Sequence, residues 1–219
     1  MDAPSRQGTG PDFDDTFRSR LHDLLAWRRD VRRFRPDPIP AAEMEDLLRT
    51  ACLAPSVGNA QPWRFVRISS AGMRHALAEH VDAENALARE ALPEADRAAY
   101  AALKLHGLRE APELLAVFCD EQPVAGRGLG RRTMPETLRY STVLAVHTLW
   151  LAARSRGIGV GWVSILEPAR ITSLLELPEH WCLVALLCIG WPVEETEVPE
   201  LERAGWQCRL DWQDVVLER

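Results

Sequence analysis

The amino-acid sequence predicts an α+β fold, in which helices and strands follow one another in blocks along the chain. Apolar residues recur at helical spacing in several long stretches, whereas shorter stretches are alternating or continuously apolar, as strands are. Because the helical stretches stand in groups between the strands, a layered α+β arrangement is favoured over a doubly wound one. With 219 residues, the chain is long enough for one substantial core.

The first part of the chain contains two predicted helices, a loop and a strand. We expect a helix from Asp15 to Arg29 and another from Ala41 to about Leu53, because their apolar residues share one helical face. The prolines in residues 36–40 prevent one continuous helix. Residues 55–63 carry the prolines and glycine of a loop, and the alternation over 64–68 predicts a half-buried strand.

The rest of the chain begins with residues 71–108, which are expected to form two helices broken near Pro93. The further predicted elements are a buried strand over 113–120, the longest helix over 136–156, strands over 158–166 and 182–189, and a short helix over 168–177. Gly157 stands where glycine commonly closes a helix. The apolar residues of the 136–156 helix cover more than one face, which indicates burial in a large core or against a partner subunit.

Composition argues against several classes of function. The net charge is −6 without a basic stripe, which disfavours a nucleic-acid partner, and no apolar stretch reaches the roughly 18 residues of a membrane span. Residues 1–12 are expected to be a flexible leader before one domain over 13–219, and they lack the apolar core of a signal peptide. The five cysteines show no Cys-x-x-Cys spacing, so we interpret them as reduced core residues of a cytoplasmic protein rather than metal ligands.

One short segment runs against this acidic average, because five arginines between Arg28 and Arg35 surround the single carboxylate of Asp30. Guanidinium groups present several N–H donors in a rigid plane that matches phosphate oxygens, so the cluster is a candidate anion site. Nearby positive charge favours the carboxylate form, and Asp30 is therefore expected to stay ionised.

Three glycine-containing segments are considered as parts of a binding site, and two of them remain candidates. Gly157, Gly159 and Gly161 leave one side of the segment before Ser164 without side chains, which would allow a flat ligand to approach closely or would simply mark a strand entered through a loop. Residues 56–58 offer a hydroxyl group and an unhindered N–H in a loop. The glycines of 126–130 lack the strand-to-helix context of a dinucleotide-binding loop, so that interpretation is rejected.

Taken in order, these segments resemble the flavin-dependent nitroreductase superfamily. The matching motifs are Arg28-Arg29-Asp30-Val31-Arg32, the loop Pro55-Ser56-Val57-Gly58-Asn59-Ala60-Gln61-Pro62-Trp63, and Gly159-Val160-Gly161-Trp162. Within the superfamily, the sequence is most similar to the branch that dismantles reduced FMN, because Asp30 replaces the small hydroxyl residue usual in nitroreductases. Residues 100–109, 130–136 and 162–165 support this branch, whereas Asn59-Ala60 departs from the bulky apolar pair of some relatives.

The resemblance implies a central, mainly antiparallel sheet flanked by helices, and a homodimer with a C-terminal arm and two FMN sites at the subunit interface. It implies that arginines of the cluster and Arg209 hold the phosphate and ribityl oxygens, that Gly58 presents its N–H to the isoalloxazine, and that Leu105 belongs to a lid. The cofactor-binding residues implied in this way are Arg28, Arg29, Asp30, Val31, Arg32, Ser56, Gly58, Leu105, Ser164 and Arg209.

The implied reaction consumes reduced FMN with dioxygen and yields 5,6-dimethylbenzimidazole, the lower ligand of cobalamin, together with erythrose 4-phosphate. Asp30 would transfer protons at the ribityl chain and Ser164 would orient a proton or the ring. The surrounding arginines are expected to lower the pKa of Asp30 and weaken it as a base, unless local burial opposes them. The resemblance further implies a separate flavin reductase as the source of reduced FMN, and neither a metal, a nucleic acid nor a membrane.

Two alternatives remain open from the sequence. The first is an NAD(P)H-dependent nitroreductase or flavin reductase in which FMN stays bound and is recycled. The second is a non-catalytic protein that binds FMN without consuming it. Formation of dimethylbenzimidazole from reduced FMN and oxygen distinguishes both from the flavin-consuming enzyme.

Overall fold

The computed structural model of the protein describes residues 10–219, and most of the predicted leader therefore lies outside the described residues. Its centre is a four-stranded sheet in the order β1-β2-β4-β3, in which every neighbouring pair is antiparallel. The strands are β1 (Trp63–Arg67), β2 (Glu113–Asp120), β3 (Gly159–Val163) and β4 (Trp181–Gly190). The predicted α+β class with an antiparallel sheet is confirmed.

The two central strands, β2 and β4, build the core because they are apolar on both faces. Successive side chains of a strand point to opposite faces, so Leu115 and Leu187 face one helical layer while Leu114 and Leu186 face the other. Helices therefore cover both faces of the sheet. A strand buried on both sides reads as a continuous apolar run, which is why β2 was predicted with its observed bounds.

The helices lie in the positions that the periodicity predicts, except for the last and shortest, which the sequence analysis did not predict. They are α1 (Asp15–Trp27), α2 (Ala41–Ala51), α3 (Ala71–Ala91), α4 (Glu94–Ala101), α5 (Thr137–Arg154), α6 (Pro168–Leu174) and α7 (Glu200–Arg203). The prediction that the 136–156 helix is the longest is wrong, because α3 has 21 residues and α5 has 18. The α1 helix also ends earlier than expected, since Arg28 already has an extended backbone.

The junction between α5 and β3 positions the edge of the sheet that carries the candidate site. Gly157 has a left-handed φ of +73°, which glycine adopts without a steric penalty. The N–H of Gly157 donates to the carbonyl of Arg154, and the N–H of Ile158 donates to the carbonyl of Ala153, each at 3.0 Å. This pair of bonds is a Schellman motif, so the predicted capping role of Gly157 is confirmed.

A large part of the apolar surface is exposed in the single chain. The α1 helix contains no buried residue, and its apolar side chains Phe17, Leu21 and Leu25 are each at least 40% exposed. Outward-facing residues of α5 and the C-terminal segment add further apolar surface, including Val143, Leu144, Trp212 and Leu217. Within residues 10–219, no helix combines the length and apolar character needed to cross a membrane.

The cysteines divide into two groups. Cys119 and Cys188 are buried in the sheet, as predicted for core residues, and Cys182 is half-buried. Cys52 and Cys208 are exposed, so the interpretation of the cysteines as core residues is wrong for these two. Both lie outside the strands.

Candidate active site

The arginine-rich segment runs from the end of α1 along the outer edge of β3. Asp30 forms a parallel bridge with Val160, and the N–H of Val31 donates to the carbonyl of Val160 at 3.0 Å. From α5, the indole N–H of Trp150 donates to the carbonyl of Arg29 at 3.1 Å. The segment is therefore held in place by hydrogen bonds with β3 and with α5.

The glycines of β3 make room for this segment. A Cβ atom on Gly159 would lie 2.8 Å from the side chain of Val31, and one on Gly161 would overlap the carbonyl oxygen of Val31. The sequence suggested that these glycines allow a flat ligand to approach, but the atoms that approach them belong to Val31. Val31 is thus a packing residue through its side chain, and its main chain holds Asp30 against the strand.

Asp30 has both carboxylate oxygens engaged. Its Oδ1 accepts a hydrogen bond from the N–H of Trp162 at 2.8 Å, and its Oδ2 accepts one from Nε of Arg32 at 2.9 Å. Burial raises the pKa of Asp30 above its ordinary value, although these bonds and the charges of Arg32 and Arg28 act in the opposite direction. The arginines thus act in the expected direction, but desolvation opposes and outweighs them.

The five arginines do not act as one cluster. Arg33 forms an ion pair with Glu200 at 2.5 Å, and Arg35 lies 3.8 Å from Asp37 on the surface. Arg32 binds Asp30 and also donates from Nη1 to the carbonyl of Lys104 at 3.0 Å. Only Arg28 and Arg29 are left without a carboxylate partner within 4.0 Å among the described residues.

Arg209 joins these two arginines, and in the described part of the chain it also has no carboxylate within 4.0 Å. Burial lowers the pKa of Arg28 and of Arg29, and the positive charge of Arg209 lowers both further. The Nε atom of Arg29 is buried without a hydrogen-bond acceptor in residues 10–219. Three guanidinium groups that repel one another around an unused buried donor form a site suited to a dianion.

A cleft of about 170 Å³ brings the anion site and the carboxylate together. It is lined by Arg28, Arg29, Asp30, Arg32 and Arg209, and by Pro199, Glu200 and Leu201. The guanidinium carbon of Arg28 lies 4.9 Å from the centroid of the Trp150 ring, which orients this arginine through a cation–π contact. Sequence reasoning missed Trp150 as a site residue, because it interpreted its helix only as an apolar packing element.

The loop with Ser56 and Gly58 lies outside this one-chain cleft. It contains a short 3₁₀ turn over Val57–Asn59, and Gly58, Asn59 and Gln61 all have positive φ angles. The Oγ atom of Ser56 accepts a hydrogen bond from Gln61 N–H at 3.0 Å, whereas Gly58 N–H has no acceptor among residues 10–219. A sterically unusual loop that exposes an N–H donor is typical of a binding element.

The glycine-rich segment 126–130 supports that loop rather than a phosphate. A Cβ atom on Gly58 would lie 2.8 Å from the carbonyl oxygen of Leu129, and one on Gly126 would lie 2.8 Å from the carbonyl oxygen of Gly58. The two segments therefore pack main chain against main chain. This contact explains Gly126, which the sequence analysis left without a role.

The last two predicted site residues, Ser164 and Leu105, do not line the cleft. Ser164 follows the last residue of β3 and is exposed, two positions after the Trp162 N–H that binds Asp30. Leu105 is half-buried in the segment after α4, next to the Lys104 carbonyl that binds Arg32. Ser164 is thus connected to Asp30 through the main chain of β3, and Leu105 is connected through Lys104 and Arg32.

The antiparallel sheet with helices on both faces agrees with the comparison to known families. The chain belongs to the nitroreductase family, whose model matches residues 25–191. It is 59% identical to the 5,6-dimethylbenzimidazole synthase of Rhodospirillum rubrum over 201 residues, covering 92% of this chain and 95% of that protein. It is 48% identical to the 5,6-dimethylbenzimidazole synthase of Rhodobacter capsulatus over 203 residues, covering 92% and 98% of the two chains.

Among solved structures, the chain is similar to an iodotyrosine deiodinase crystallised with FMN and 3-iodo-L-tyrosine. The TM-score is 0.69 at 26% identity, and the match covers 80% of this chain and 91% of the deiodinase chain. The family therefore includes proteins that bind FMN, and the question for this chain is what it does with the flavin.

Proposed function

We propose that this protein is a 5,6-dimethylbenzimidazole synthase, which fragments reduced FMN in the presence of dioxygen to the lower ligand of cobalamin and erythrose 4-phosphate. The observation that carries the proposal is the half-buried Asp30 carboxylate, which β3 holds beside three arginines without ion-pair partners. A nitroreductase that only recycles FMN needs the anion site but no carboxylate held at the same cleft. The identity to two curated synthases supports the same conclusion.

In this proposal Arg28, Arg29 and Arg209 hold the FMN phosphate. The unused Nε donor of Arg29 and the mutual repulsion of the three guanidinium groups fit a bound dianion, which would satisfy both. Arg32 uses Nε and Nη1 within the protein, and its remaining Nη2 donor is available for a ribityl oxygen. Reduced FMN supplies the ring from which the benzimidazole is formed and the electrons that reduce dioxygen.

Asp30 is the group that moves protons at the ribityl chain, because cleavage of carbon–carbon bonds in a polyol requires proton transfer at its hydroxyl groups. A carboxylate whose pKa is raised by burial is a stronger base than an exposed one, so the desolvation of Asp30 suits this role. Ser164 lies at the end of the strand that positions Asp30, and we assign to its hydroxyl the orientation of a proton or of the flavin ring.

We further propose that the active form is a homodimer in which the partner completes each site. The support is that Ser56 and Gly58 lie outside the one-chain cleft, while α1, α5 and the C-terminal segment expose apolar side chains that a second chain would cover. In such a dimer, Gly58 presents its free N–H to the isoalloxazine and Leu105 covers the ring. The C-terminal segment after Pro192 serves as the arm.

The proposed reaction also needs a source of reduced FMN, for which we propose a separate flavin reductase in the same cytoplasmic compartment. The decisive experiment mixes the purified protein with chemically reduced FMN and oxygen and analyses the products by chromatography. We expect dimethylbenzimidazole from the wild type, and none from the Asp30→Asn variant although it still binds FMN. Rapid NADH oxidation with FMN retained and no benzimidazole would instead identify a conventional nitroreductase.

A further inference from the structure

The segment between α4 and β2 is attached to the rest of the protein by very few main-chain bonds. The α4 helix ends with bonds from the N–H groups of residues 102 and 103, and the next main-chain bonds are those accepted by Gly107. Between them, in the described part of the chain, the main chain of residues 104–106 forms a single hydrogen bond. Its carbonyl acceptor is that of Lys104, and its donor is Nη1 of Arg32 at 3.0 Å.

The same guanidinium group binds Asp30, so two donors of one rigid planar group connect the carboxylate to the 104–106 segment. Nε of Arg32 donates to Oδ2 of Asp30 at 2.9 Å, and the Arg32 side chain is only 11% exposed. Hydrogen bonds to a charged acceptor are stronger than those to a neutral one. Neutralising Asp30 therefore weakens the bond that fixes the orientation in which Arg32 reaches Lys104.

We propose that Arg32 is a positioning residue that couples the charge of Asp30 to the closure of the 104–106 segment against the protein. When Asp30 is charged, Arg32 is held in place and the segment is closed; when Asp30 takes up a proton, the segment loosens. The inference rests on the proposed function for the identity of the flavin and for the position of Leu105 over its ring, and it adds control of the segment to the proposed contact of Arg32 with a ribityl oxygen.

Other titratable and charged groups lie near Asp30 and near the 104–106 segment, but none of them links the two as Arg32 does. Asp30 also faces Arg28 from the end of α1, Trp162 N–H from β3, and the buried thiol of Cys188 from β4. Burial raises the pKa of the Cys188 thiol to about 12. The segment itself carries two side-chain pairs at its surface, Lys104 with Glu110 and His106 with Asp82. Because the segment contains a histidine, pH is an ambiguous variable, and the charge of Asp30 is better changed by substitution.

The sequence offers a direct probe of segment opening, because Lys104 is the only lysine in the chain. A lysine-specific endoproteinase therefore cuts the wild type at one peptide bond, and the cleavage rate reports the open population when opening is fast. The test compares this rate, with oxidised FMN bound, in Asp30→Asn, Arg32→Gln and the double variant. Arg35→Gln is the matched control, because Arg35 belongs to the same arginine-rich segment but faces the surface near Asp37.

We expect each single variant to be cleaved about tenfold faster than the wild type, the size of one charge-assisted hydrogen bond. The double variant should be cleaved at about the same rate as either single variant, because both substitutions remove one connection. Arg35→Gln should match the wild type. Additive effects, or an Arg32→Gln variant cleaved at the wild-type rate, would overturn the proposal.

A second variant keeps the test decisive if Arg32→Gln does not fold. Arg32→Lys preserves the charge beside Asp30 but lacks the planar fork that reaches two acceptors, so faster cleavage after Lys104 is expected. Mass spectrometry separates this cut from one at the introduced lysine, and unchanged cleavage after Lys104 would contradict the proposal. No step of these experiments requires turnover, so a wild type that forms no benzimidazole would refute the proposed function while leaving the coupling measurable.

A binding measurement separates the positioning role from phosphate binding. If Arg32 acts on the segment, Arg32→Gln should weaken the binding of FMN and the binding of riboflavin by the same factor. The reason is that, in the proposed function, the segment covers the ring that both ligands share. A loss that affects FMN but not riboflavin would assign Arg32 to the phosphate and overturn the inference.

Discussion

The close contact between Gly161 and Val31 leads to a prediction about the position of Asp30. A Cβ atom at residue 161 would overlap the carbonyl oxygen of Val31 and lie 3.2 Å from the carbonyl carbon. Both are main-chain atoms, so no side-chain rotation can relieve the overlap. In a Gly161→Ala variant, the segment with Asp30 must therefore move away from β3.

The cost of this movement follows from the bonds that it breaks. The bond from Val31 N–H to the Val160 carbonyl contributes about 0.5–1.5 kcal/mol, and the bond from Trp162 N–H to the Asp30 carboxylate contributes about 1.5–3 kcal/mol. Their loss lowers the free energy of unfolding by roughly 2–4 kcal/mol. For a chain of this size, the melting temperature should fall by roughly 5–15 °C.

Thermal unfolding of the protein without added flavin measures this effect, and a flavin titration measures its consequence for the cleft. Gly72→Ala is the matched control, because the nearest atom to a Cβ there is Ser70 Oγ at 3.8 Å and the site lies in helix α3. This control should raise stability by about 0.5–1 kcal/mol, since alanine favours a helix over glycine. If Gly161→Ala melts within about 2 °C of the wild type and binds FMN equally well, the reasoning that β3 fixes Asp30 is refuted.

Three further predictions concern charge and reactivity. Arg29→Ala should weaken FMN binding about tenfold or more, because a charge-assisted bond to the phosphate is lost, while riboflavin binding changes little. Equal losses of affinity for both ligands in a fluorescence titration would contradict this. The advantage of the wild type over Asp30→Asn in free energy of unfolding should decline as the pH rises above 3.8, because burial raises the pKa of Asp30 and the native state then binds the proton more tightly; urea titrations at several pH values would show the opposite slope if this is wrong. Alkylation of the native protein at pH 8 should label Cys52 and Cys208 but not Cys188, whose pKa is about 12; mass spectrometry showing early labelling of Cys188 would disprove its burial.

The elements of the fold could be predicted from the sequence because each has a strong local signal. The continuous apolar run of β2 and the break at Pro93 were sufficient to place a buried strand and to separate α3 from α4. The end of α1 was predicted wrongly, because helical spacing continues through Arg28 while the bond from Val31 to β3 pulls the chain into an extended form. That bond joins residues far apart in the sequence, and local periodicity contains no information about it.

The arginines that line the cleft could be singled out from the sequence, but their separate contacts could not. Which arginine is free depends on distant partners, such as Glu200 for Arg33 and the Lys104 carbonyl for Arg32. The sign of the Asp30 pKa shift depends on desolvation where the carboxylate packs against the edge of β3, which no charge count in the sequence expresses. Glycine spacing identified the correct strand, but the partner of the glycines was another part of the chain.

An extended backbone explains how one arginine-rich segment can serve two purposes. In a helix, residues two positions apart do not face each other, whereas in an extended chain they lie on the same side. The ion pair between Asp30 and Arg32 therefore requires that the helix has already ended, and the parallel bridge of Asp30 with Val160 ensures this. The alternation turns Val31 towards Gly159 and brings Arg33 to Glu200. In the proposed function, phosphate recognition is left to the arginines at the helix end and in the C-terminal segment, and the extended part is free to hold the half-buried carboxylate.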